Sequence, residues 1–592
     1  MKTNKLQVIK NNGVTFYVDD YRCCVDMDIE KNVEEVIVPE KIRYIMALPP
    51  KCFANVKTLC IGKDVETIQI ENSMFPNVRK VKSDSPHFKD GTMLIESLCK
   101  GEVLKLDNSF CLKPEEVLDL SDITDIELHA LSNCAAGAIV NCNALQDIKQ
   151  ETLLESDIPV EYLESCRVFM MGDIIVGFKP HGDCIIPSHA KCVAFGTEGP
   201  QYNETLLVEC NKAINGNAIL TYPTHVIFNG ADHLNVDTLT NFRKAVIDFG
   251  PNITEYVKKD GIIYTSDMET LCLADITLEG HIEIPDSVKT IYHHAFSGCR
   301  WITSVTIPDS VEKVGCGAFS NCNSLKHIHI GKNVKNMQSC FFHAGLTDVS
   351  FPGILETIAD NMIEHCPALQ YMKINEGTKK VLCRYQDTNH PLTLELPSTI
   401  LKVSDNLMEC ISKLILHTEK IPESMIKQLT MHKLTTCKKL YFSNADFSYT
   451  KEEAIENYEI MCVETQVRTY YIPMCVTDSG AKKITDALEQ AGSDTPANFY
   501  QYCKYAEQKL PFAFLEFQTN QDEKTKKFLK KNRKKIVNDL IERNLEEEVM
   551  IFLKFDILSK PMVKDVYDIL AETNMEDAKD YAMQLMQKKM KK

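Results

Sequence analysis

The feature that most constrains the fold of this chain is a 23-residue sequence pattern, or phrase, that occurs twice in succession. Residues 284–306 read IPDSVKTIYHHAFSGCRWITSVT, residues 307–329 read IPDSVEKVGCGAFSNCNSLKHIH, and the two stretches agree at nine positions. The apolar residue that opens each unit recurs after 23, 23, 21 and 23 residues, at positions 284, 307, 330, 351 and 374. A unit this short cannot bury its own apolar edge and must stack on its neighbours. The period therefore predicts a solenoid in which each repeat forms one coil.

Each unit also contains an apolar triplet, for example Ile302, Val305 and Ile307. The last two members lie two residues apart, so in an extended strand they share one face. A triplet of this kind in a repeat of about 20 to 29 residues is typical of a leucine-rich repeat. The pattern predicts a β-rich leucine-rich repeat solenoid with one short parallel strand per coil of about 23 residues.

Weaker copies of the triplet extend from about residue 14 to about residue 475. The copies in 185–250 are degenerate, and their register is not fixed by the sequence. The copies near the C-terminal end of this region are Cys437, Leu440 and Phe442, followed by Val467, Tyr470 and Ile472.

A second phrase interrupts the coils. HFKDGTMLIESL at 87–98 resembles YVKKDGIIYTSDMETL at 256–271, and FMMGDIIVGFKPHGD at 169–183 is a looser relative. Asp-Gly between apolar alternating segments favours a tight hairpin turn, because such turns need positive φ angles. We therefore expect β-hairpin insertions near 87–98, 169–183 and 256–271.

The spacing of apolar residues changes after about residue 478. In IVNDLIERNLEEEVMIFLKF, which begins at Ile536, they recur every three to five residues, as in a helix. We expect residues 1–476 to form the solenoid with its hairpins, and 477–592 to form an all-α C-terminal domain. The sequence leaves open whether this domain caps the solenoid or is a second binding module.

The phrases IPDSVKTIYHHAFSGC, IPDSVEKVGCGAFSNCNSLKHIHIG and KDGIIYTSDMETL resemble the BspA-like class of leucine-rich repeat proteins. The resemblance is specific over 256–375 and diffuse over 14–475. It implies a curved solenoid that attaches to protein partners, and it suggests a cell-surface role, because many members of the class are secreted. The helical C-terminal domain bears a weaker resemblance to ankyrin-type helical repeats.

The net charge and the lengths of the apolar runs limit the kinds of partner and the cellular location that we expect. The formal net charge is −17, which is unfavourable for binding nucleic acid or an anionic membrane. The lysine-rich run at 522–535 is interpreted as the exposed face of an amphipathic helix. The first residues contain no apolar run of signal-peptide length, and no segment has 18 uninterrupted apolar residues. We therefore expect a cytoplasmic protein with no membrane span and no nucleic-acid partner, its 24 cysteines being reduced thiols.

Alternation along the strands predicts which side chains face outward. If Val305 and Ile307 point into the core, the residues that alternate with them form an exposed sheet face, the surface on which solenoids usually bind partners. An ordinary solvated sheet face is the alternative interpretation. The predicted partner-binding residues are Ser304, Thr306, His327, His329, Asp348, Ser350, Tyr371 and Lys373.

The repeated cysteines and histidines are candidates for a metal site or for catalysis. Cys299, Cys322 and Cys366 share one phase of the repeat, which favours a buried column of small side chains. The histidine pairs at 293–294 and at 327 and 329 have no third ligand at a supporting spacing. No metal site and no cofactor is therefore predicted. GxSxG, HExxH and GxxxxGK[ST] are absent, so no catalytic residue is predicted either.

These expectations lead to a noncatalytic protein–protein interaction or scaffold protein that binds a protein partner through the exposed sheet face. One alternative is a cell-surface adhesin exported by an unrecognised route. Another is an enzyme with an unrecognised site at the junction of the solenoid and the helical domain. The sequence does not identify the partner or the oligomeric state.

Overall fold

The computed structural model describes residues 6–46, 50–98, 103–145, 148, 152, 155–194, 204–214, 223–359, 361–385, 391–432, 447–457, 459–490 and 498–588. The chain divides into two compact units, unit 1 (Met1–Ser266) and unit 2 (Asp267–Lys592). Both units contain stacked coils whose strands pair in parallel, and helices follow the coils in unit 2. The predicted leucine-rich repeat solenoid followed by a helical region is therefore confirmed.

Most coils of unit 2 contribute a longer and a shorter strand, each paired with its equivalents in neighbouring coils. The longer strands form a three-stranded sheet, from Glu279–Glu283 to His327–His329, and a six-stranded sheet that begins at Asp348–Phe351. The long strand Trp301–Thr306 pairs in parallel with His327–His329, one repeat later. The long strands are Glu279–Glu283, Trp301–Thr306, His327–His329, Asp348–Phe351, Tyr371–Ile374, Leu392–Leu396, Ile411–Leu416, Ile460–Glu464 and Thr469–Pro473. The second group of strands is Thr270–Ala274, Thr290–Ile291, Lys313–Val314, Asn336–Met337, Thr357–Ile358, Lys380–Val381 and Lys402–Val403.

The Ala-Phe turn closes each coil with further hydrogen bonds between coils. The backbone N–H of Phe296 donates to the carbonyl oxygen of Ala318 at 2.8 Å, and that of Phe319 donates to Cys340 at 2.9 Å. The Phe319 ring lies between those of Phe296 and Phe341, at centroid distances of 5.1 and 5.8 Å. The repeated phenylalanines therefore form a stacked column in the core.

Two residues four positions apart have positive φ in each turn that contains Ala-Phe, or Cys340-Phe341 and Met362-Ile363 at the equivalent places. Gly, Asn and His recur there because left-handed backbone angles are unfavourable for most side chains and cost Gly nothing. His294, one of the histidines weighed as a metal ligand, is such a turn residue, with φ 56°. The pairs are His294 and Gly298, Gly317 and Asn321, Ser339 and His343, and Asn361 and His365.

Unit 1 repeats the same coil pattern with more interruptions. Its strands at 185–250, where the sequence repeat is degenerate, form a regular four-stranded parallel ladder. The strands of unit 1 are Gln7–Asn11, Val14–Val18, Cys23–Ile29, Glu35–Ile37, Tyr44–Ile45, Thr58–Ile61, Thr67–Ile68, Lys80–Ser83, Leu94–Leu98, Val103–Asn108, Val117–Asp119, Asp125–Ile126, Ala138–Val140, Glu161–Leu163, Val168–Met171, Ile174–Phe178, Cys184–Ile186, Cys192–Val193, Thr205–Val208, His225–Phe228, Val246–Phe249, Tyr256–Lys259 and Ile262–Thr265. Among the described residues of unit 1, Val236–Asn241 forms an α-helix.

Antiparallel hairpins occur at two of the predicted places, 169–183 and 256–271, and the hairpin near 87–98 lies later in the chain than predicted. Tyr256–Lys259 pairs with Ile262–Thr265 across Asp260 and Gly261, whose φ angles of 51° and 75° fit the primed turn that Asp-Gly predicts. Val168–Met171 pairs with Ile174–Phe178. Near 87–98, the strand Leu94–Leu98 pairs with Val103–Asn108, which lies beyond the predicted hairpin.

Other antiparallel pairs were not predicted, among them one near the N-terminus. Gln7–Asn11 pairs antiparallel with Val14–Val18, and the turn residues Asn12 and Gly13 have φ angles of 47° and 79°. The Asn-Gly pair is the sequence signal for this turn.

The helices of unit 2 lie over the last strands of its sheet. The Lys504 N–H donates to the Cys475 carbonyl at 2.8 Å, and the Tyr449 ring meets the Phe514 ring edge-on at 5.4 Å. The helical region therefore contacts the residues that flank the last strands. The helices are Asp405–Cys410, Glu423–Lys427, Lys451–Glu456, Asp478–Gln490, Lys509–Asn520, Glu523–Lys531, Arg533–Glu542, Glu546–Lys554, Lys560–Leu570 and Glu576–Lys588. In the part of the chain that the structure describes, no helix is long and apolar enough to cross a membrane.

The end of the solenoid differs from the predicted repeat. Val467, Tyr470 and Ile472 suggested another parallel coil, but Thr469–Pro473 pairs antiparallel with Ile460–Glu464. The four residues between these strands allow a hairpin but are too few for a parallel crossover. The triplet at 437, 440 and 442 lies outside the described residues. The boundary at 476/477 stays a prediction, and the two compact units meet at 266/267 instead.

Candidate functional site

The predicted outward residues lie on the outer faces of two successive sheets of long strands in unit 2. Ser304 lies opposite His327 and Thr306 lies opposite His329 in the parallel ladder. Val305, which alternates with them, is buried. The strand therefore turns its apolar residues into the core and its polar residues outward.

The next two strands continue this face. Asp348 lies opposite Tyr371, and Ser350 lies opposite Lys373. The ring Nδ1 of His327 is 2.5 Å from Oδ2 of Asp348, which links the two pairs of strands. All eight predicted residues thus lie on one continuous surface, which we call the outward face.

Several side chains of the outward face are held by neighbouring coils. The ring Nδ1 of His281 lies 2.8 Å from the hydroxyl of Ser304. The amide of Asn375 donates to the hydroxyl of Ser350 at 3.0 Å. These hydrogen bonds reduce the rotamer entropy that the side chains would lose on binding a partner.

Glu395 is a member of the outward face that the sequence analysis missed. Its carboxylate accepts hydrogen bonds from the Tyr371 hydroxyl and from Lys373 Nζ at 2.8 Å, and His417 Nε2 is also 2.8 Å away. The Glu395 side chain is only 11% exposed. Burial alone would raise its pKa, but the hydrogen bonds from Lys373, Tyr371 and His417 outweigh burial and lower the pKa to about 2. Burial and the bond to Glu395 raise the pKa of Tyr371 to about 12.

Trp301 is the second missed residue. It begins the strand that carries Ser304 and Thr306, and it lies opposite Glu279. It is the only tryptophan in the sequence, and 65% of its surface is exposed. Exposed tryptophans are rare on protein surfaces but frequent at the centres of protein interfaces. The signal in the sequence that could have identified Trp301 is that it is the single tryptophan of the chain.

The outward face combines hydrogen-bonding groups with one exposed aromatic ring. Hydroxyl, imidazole, carboxylate and ammonium groups are all present, which suits recognition of a mixed polar and apolar surface. Among the described residues, no group of three or more His, Cys, Asp or Glu side chains could hold a metal ion.

Comparison with known proteins agrees with the repeat pattern. Residues 272–385 match the family described as BspA type leucine rich repeat region, in six copies. The chain thus contains a BspA-type leucine-rich repeat region, and the resemblance based on its sequence phrases is confirmed there. The ankyrin-type resemblance of the helices stays a prediction. No curated protein matches the sequence.

Several solved structures from bacteria are similar. A leucine rich cell surface protein from Faecalibacterium prausnitzii is 16% identical, with 72% of this chain and 93% of that chain covered and a TM-score of 0.25. The pneumococcal vaccine antigen PcpA is 11% identical, with coverage of 73% and 97% and a TM-score of 0.21. A leucine-rich repeat protein from Eubacterium ventriosum is 11% identical, with coverage of 70% and 90% and a TM-score of 0.22.

Proposed function

We propose that the chain is a noncatalytic interaction protein that binds a protein partner through the outward face of unit 2, with Trp301 as an anchor. The observation that carries the proposal is the exposure of Trp301 beside an ordered row of polar side chains. A flat tryptophan ring gains a large apolar contact area on burial at a small entropic cost. The neighbouring polar groups, from Ser304 to Lys373, would then fix the register of the partner.

The test compares partner capture by the wild type and by Trp301→Ala. We expect the truncation to weaken binding by about 2 kcal/mol or more, which is roughly 30-fold, as for an interface hot spot. Leu401→Ala is the matched control, because Leu401 is a similarly exposed apolar side chain outside the outward face. A partner bound equally by the wild type and Trp301→Ala would contradict the proposal.

Trp301 also provides a direct readout. Because the chain has one tryptophan, its emission reports on this surface alone. We expect a blue shift when a captured partner is titrated against the wild type, since the ring leaves water. A partner that binds without changing the emission would bind elsewhere, and the assignment of the outward face would fail.

We further infer a cytoplasmic location. Supporting this, the 22 cysteines in the described parts of the chain are free thiols, including the exposed Cys52 and Cys316. Fractionation of the native cells, with alkylation of thiols before lysis, distinguishes this location from the surface adhesin. Recovery at the cell surface, or disulfide-linked cysteines, would favour the adhesin.

A further inference from the structure

The helical region of unit 2 carries a basic surface that includes no residue of the outward face. It lies on two consecutive helices, Glu523–Lys531 and Arg533–Glu542. The Asn532 N–H donates to the Phe528 carbonyl at 3.1 Å, and the Ile536 N–H donates to the Asn532 carbonyl at 3.0 Å. Because both bonds have the spacing of an α-helix, the helical phase continues through the junction. The exposed lysines of these two helices, which we call the basic stripe, are Lys524, Lys527, Lys531, Lys534 and Lys535.

The basic stripe occupies one side of the two helices. At about 100° per residue, its five lysines fall within an arc of about 100°. The other side packs inside the protein, where Thr525, Leu529 and Ile536 are buried. The Phe528 ring lies 4.8 Å from the Tyr500 ring. The helices therefore bury their apolar side and present a row of ammonium groups to the solvent.

The basic stripe is largely without counter-charges. Lys534 Nζ lies 3.7 Å from Asp565, whose carboxylate is already paired with Arg533 at 2.6 Å. Among the residues that the structure describes, the other four lysines of the stripe have no carboxylate within ion-pair distance. Like charges three and four residues apart repel each other along a helix. The stripe is thus unfavourable for the isolated chain.

Two exposed lysines of the coils show how the same unit neutralises such charges. Lys335 pairs with Glu312 at 2.6 Å, and Lys379 pairs with Glu356 at 3.0 Å, each across one coil. The formal net charge of the chain is −17, so a general excess of basic residues does not explain the stripe. A local cluster of one sign in a chain of the opposite sign attracts a partner of complementary charge.

The chemistry of the stripe favours a short acidic segment over nucleic acid or a membrane. The stripe consists of lysines alone, without an aromatic ring on which a base could stack, and the Arg533 guanidinium is engaged by Asp565. Phe528 and Leu529 lie on the packed side, so they are not placed to enter a bilayer. The net charge of −17 repels an extended polyanion, whereas a short segment meets mainly the field within a Debye length, about 8 Å at physiological salt.

We propose that the basic stripe docks a short extended segment rich in Asp or Glu from a protein partner. The stripe is about 17 Å long, because an α-helix rises about 1.5 Å per residue. In an extended peptide, alternate side chains share one face about 6.6 Å apart, so four alternate carboxylates span about 20 Å. Lysine ammonium groups on flexible stems can reach such a row. The helical region is then a second binding module, beside the proposed role of the outward face.

Fluorescence polarisation with the full chain tests the proposal. The probe is a fluorescein-labelled Glu-Gly-Glu-Gly-Glu-Gly-Glu peptide, and the peptide with Gln in place of each Glu is the control. We expect the glutamate peptide to bind and the glutamine peptide not to bind. Binding should weaken as ionic strength rises from about 0.01 M to about 0.15 M, because the Debye length falls from about 30 Å to about 8 Å. Equal binding of both peptides, or no binding of the glutamate peptide to the folded wild type, overturns the proposal.

Competition tests the other partner classes. A short oligothymidylate and phosphatidylserine vesicles are titrated against the bound glutamate peptide. We expect both to displace it poorly, because the net charge of the chain repels them. Tighter binding of either competitor than of the peptide overturns the choice of an acidic segment.

A double variant locates the binding. Lys527→Gln with Lys531→Gln should weaken peptide binding by about tenfold, because it removes two charges from the middle of the stripe. It should not lower the urea midpoint, since it relieves repulsion within the helix. Lys335→Gln with Lys379→Gln makes the same change in net charge outside the stripe and should leave the affinity unchanged. Equal loss in both double variants overturns the assignment to the stripe.

Trp301→Ala separates this proposal from the proposed function. Trp301 belongs to the outward face, so its truncation should leave the affinity for the glutamate peptide unchanged. A loss of peptide binding in folded Trp301→Ala would place the acidic segment on the outward face and overturn the role of the basic stripe.

Discussion

The thiol of Cys322 donates a hydrogen bond to the carbonyl oxygen of Phe296, 3.1 Å away in the preceding coil. The same bond recurs between Cys366 and Phe341 at 2.9 Å. Each of these cysteines is fully buried. The repeated cysteine thus fills the core and adds a second hydrogen bond to a buried carbonyl, since Phe296 also accepts from the Cys299 N–H and Phe341 from the Ala344 N–H, both at 3.0 Å.

Cys322→Ala should lower the free energy of unfolding by about 1 to 2 kcal/mol. The substitution leaves a small cavity and removes one of the two hydrogen bonds to the Phe296 carbonyl, which keeps the bond from the Cys299 N–H at 3.0 Å. Urea denaturation followed by circular dichroism measures the change. Cys316→Ala is the control, because Cys316 is exposed and its truncation should change stability by less than about 0.5 kcal/mol. Equal destabilisation by both substitutions would contradict the structural role of Cys322.

The buried thiols should also be chemically inert in the native protein. Burial raises the pKa of Cys340 and of Cys366 to about 12, so neither forms the reactive thiolate at pH 8. Brief alkylation at pH 8, with the modified sites identified by mass spectrometry, should label Cys52 and Cys316 first. In urea all four should react at similar rates. Fast native labelling of Cys366 would show that its coil opens readily.

Phe319→Ala should destabilise unit 2 by about 3 to 5 kcal/mol, since a fully buried ring between two others is removed. Phe319→Leu should cost less, because it retains most of the volume. The unfolding midpoint in urea measures both. An exposed aromatic side chain gives the control, and Tyr505→Ala should have a much smaller effect. If Phe319→Ala unfolds the protein, Phe319→Leu can still be compared with Tyr505→Ala, and it should be the less stable of these two variants.

Much of the outward face could be predicted because the strand signal is local. Apolar residues at 305 and 307 fix the direction of 304 and 306, and one period of 23 residues transfers that direction to the next coil. Glu395 could have been found in the same way, since it lies between the inward Leu394 and Leu396. Its bonds to Tyr371 and Lys373 could not, because they depend on side-chain rotamers.

Other features could not be predicted from the sequence, for physical reasons. In 185–250 the outward positions Ile185, Leu207 and Ile227 are themselves apolar, so the alternation that marks a strand is blurred although the ladder is regular. The exposure of Trp301 depends on a register shift in its strand, which no spacing reveals.

Asn321 tests the explanation of the turn residues. Its φ of 59° lies in the left-handed region, so Asn321→Ala should destabilise the protein by about 1 kcal/mol. Asn321→Gly should be close to neutral, because glycine adopts this conformation without a steric penalty. Urea midpoints of the two variants give the comparison. Equal loss in both would show that the Asn321 side chain, rather than its backbone angle, stabilises the turn.

Glu395 should make the stability of unit 2 sensitive to acid. Its pKa is about 2 in the folded protein against an ordinary value of 4.5, because the bonds from Lys373, Tyr371 and His417 outweigh burial. A carboxyl group with a lowered folded pKa stabilises the protein fully above its unfolded pKa. This stabilisation, about 2 kcal/mol, is lost as pH falls from about 4.5 to about 2. Glu395→Gln should therefore be less stable than the wild type at pH 6, and the difference should shrink toward pH 2.5.

Urea midpoints of both proteins between pH 6 and pH 2.5 measure this difference. Glu409→Gln is the matched control, because Glu409 is an exposed carboxylate in the same unit, and it should follow the wild type at every pH. A Glu395→Gln curve parallel to that of the wild type would mean that Glu395 does not titrate with a lowered pKa. The hydrogen bonds from Lys373 and Tyr371 would then contribute no charge-dependent stability, and the outward face would be less rigid than its geometry indicates.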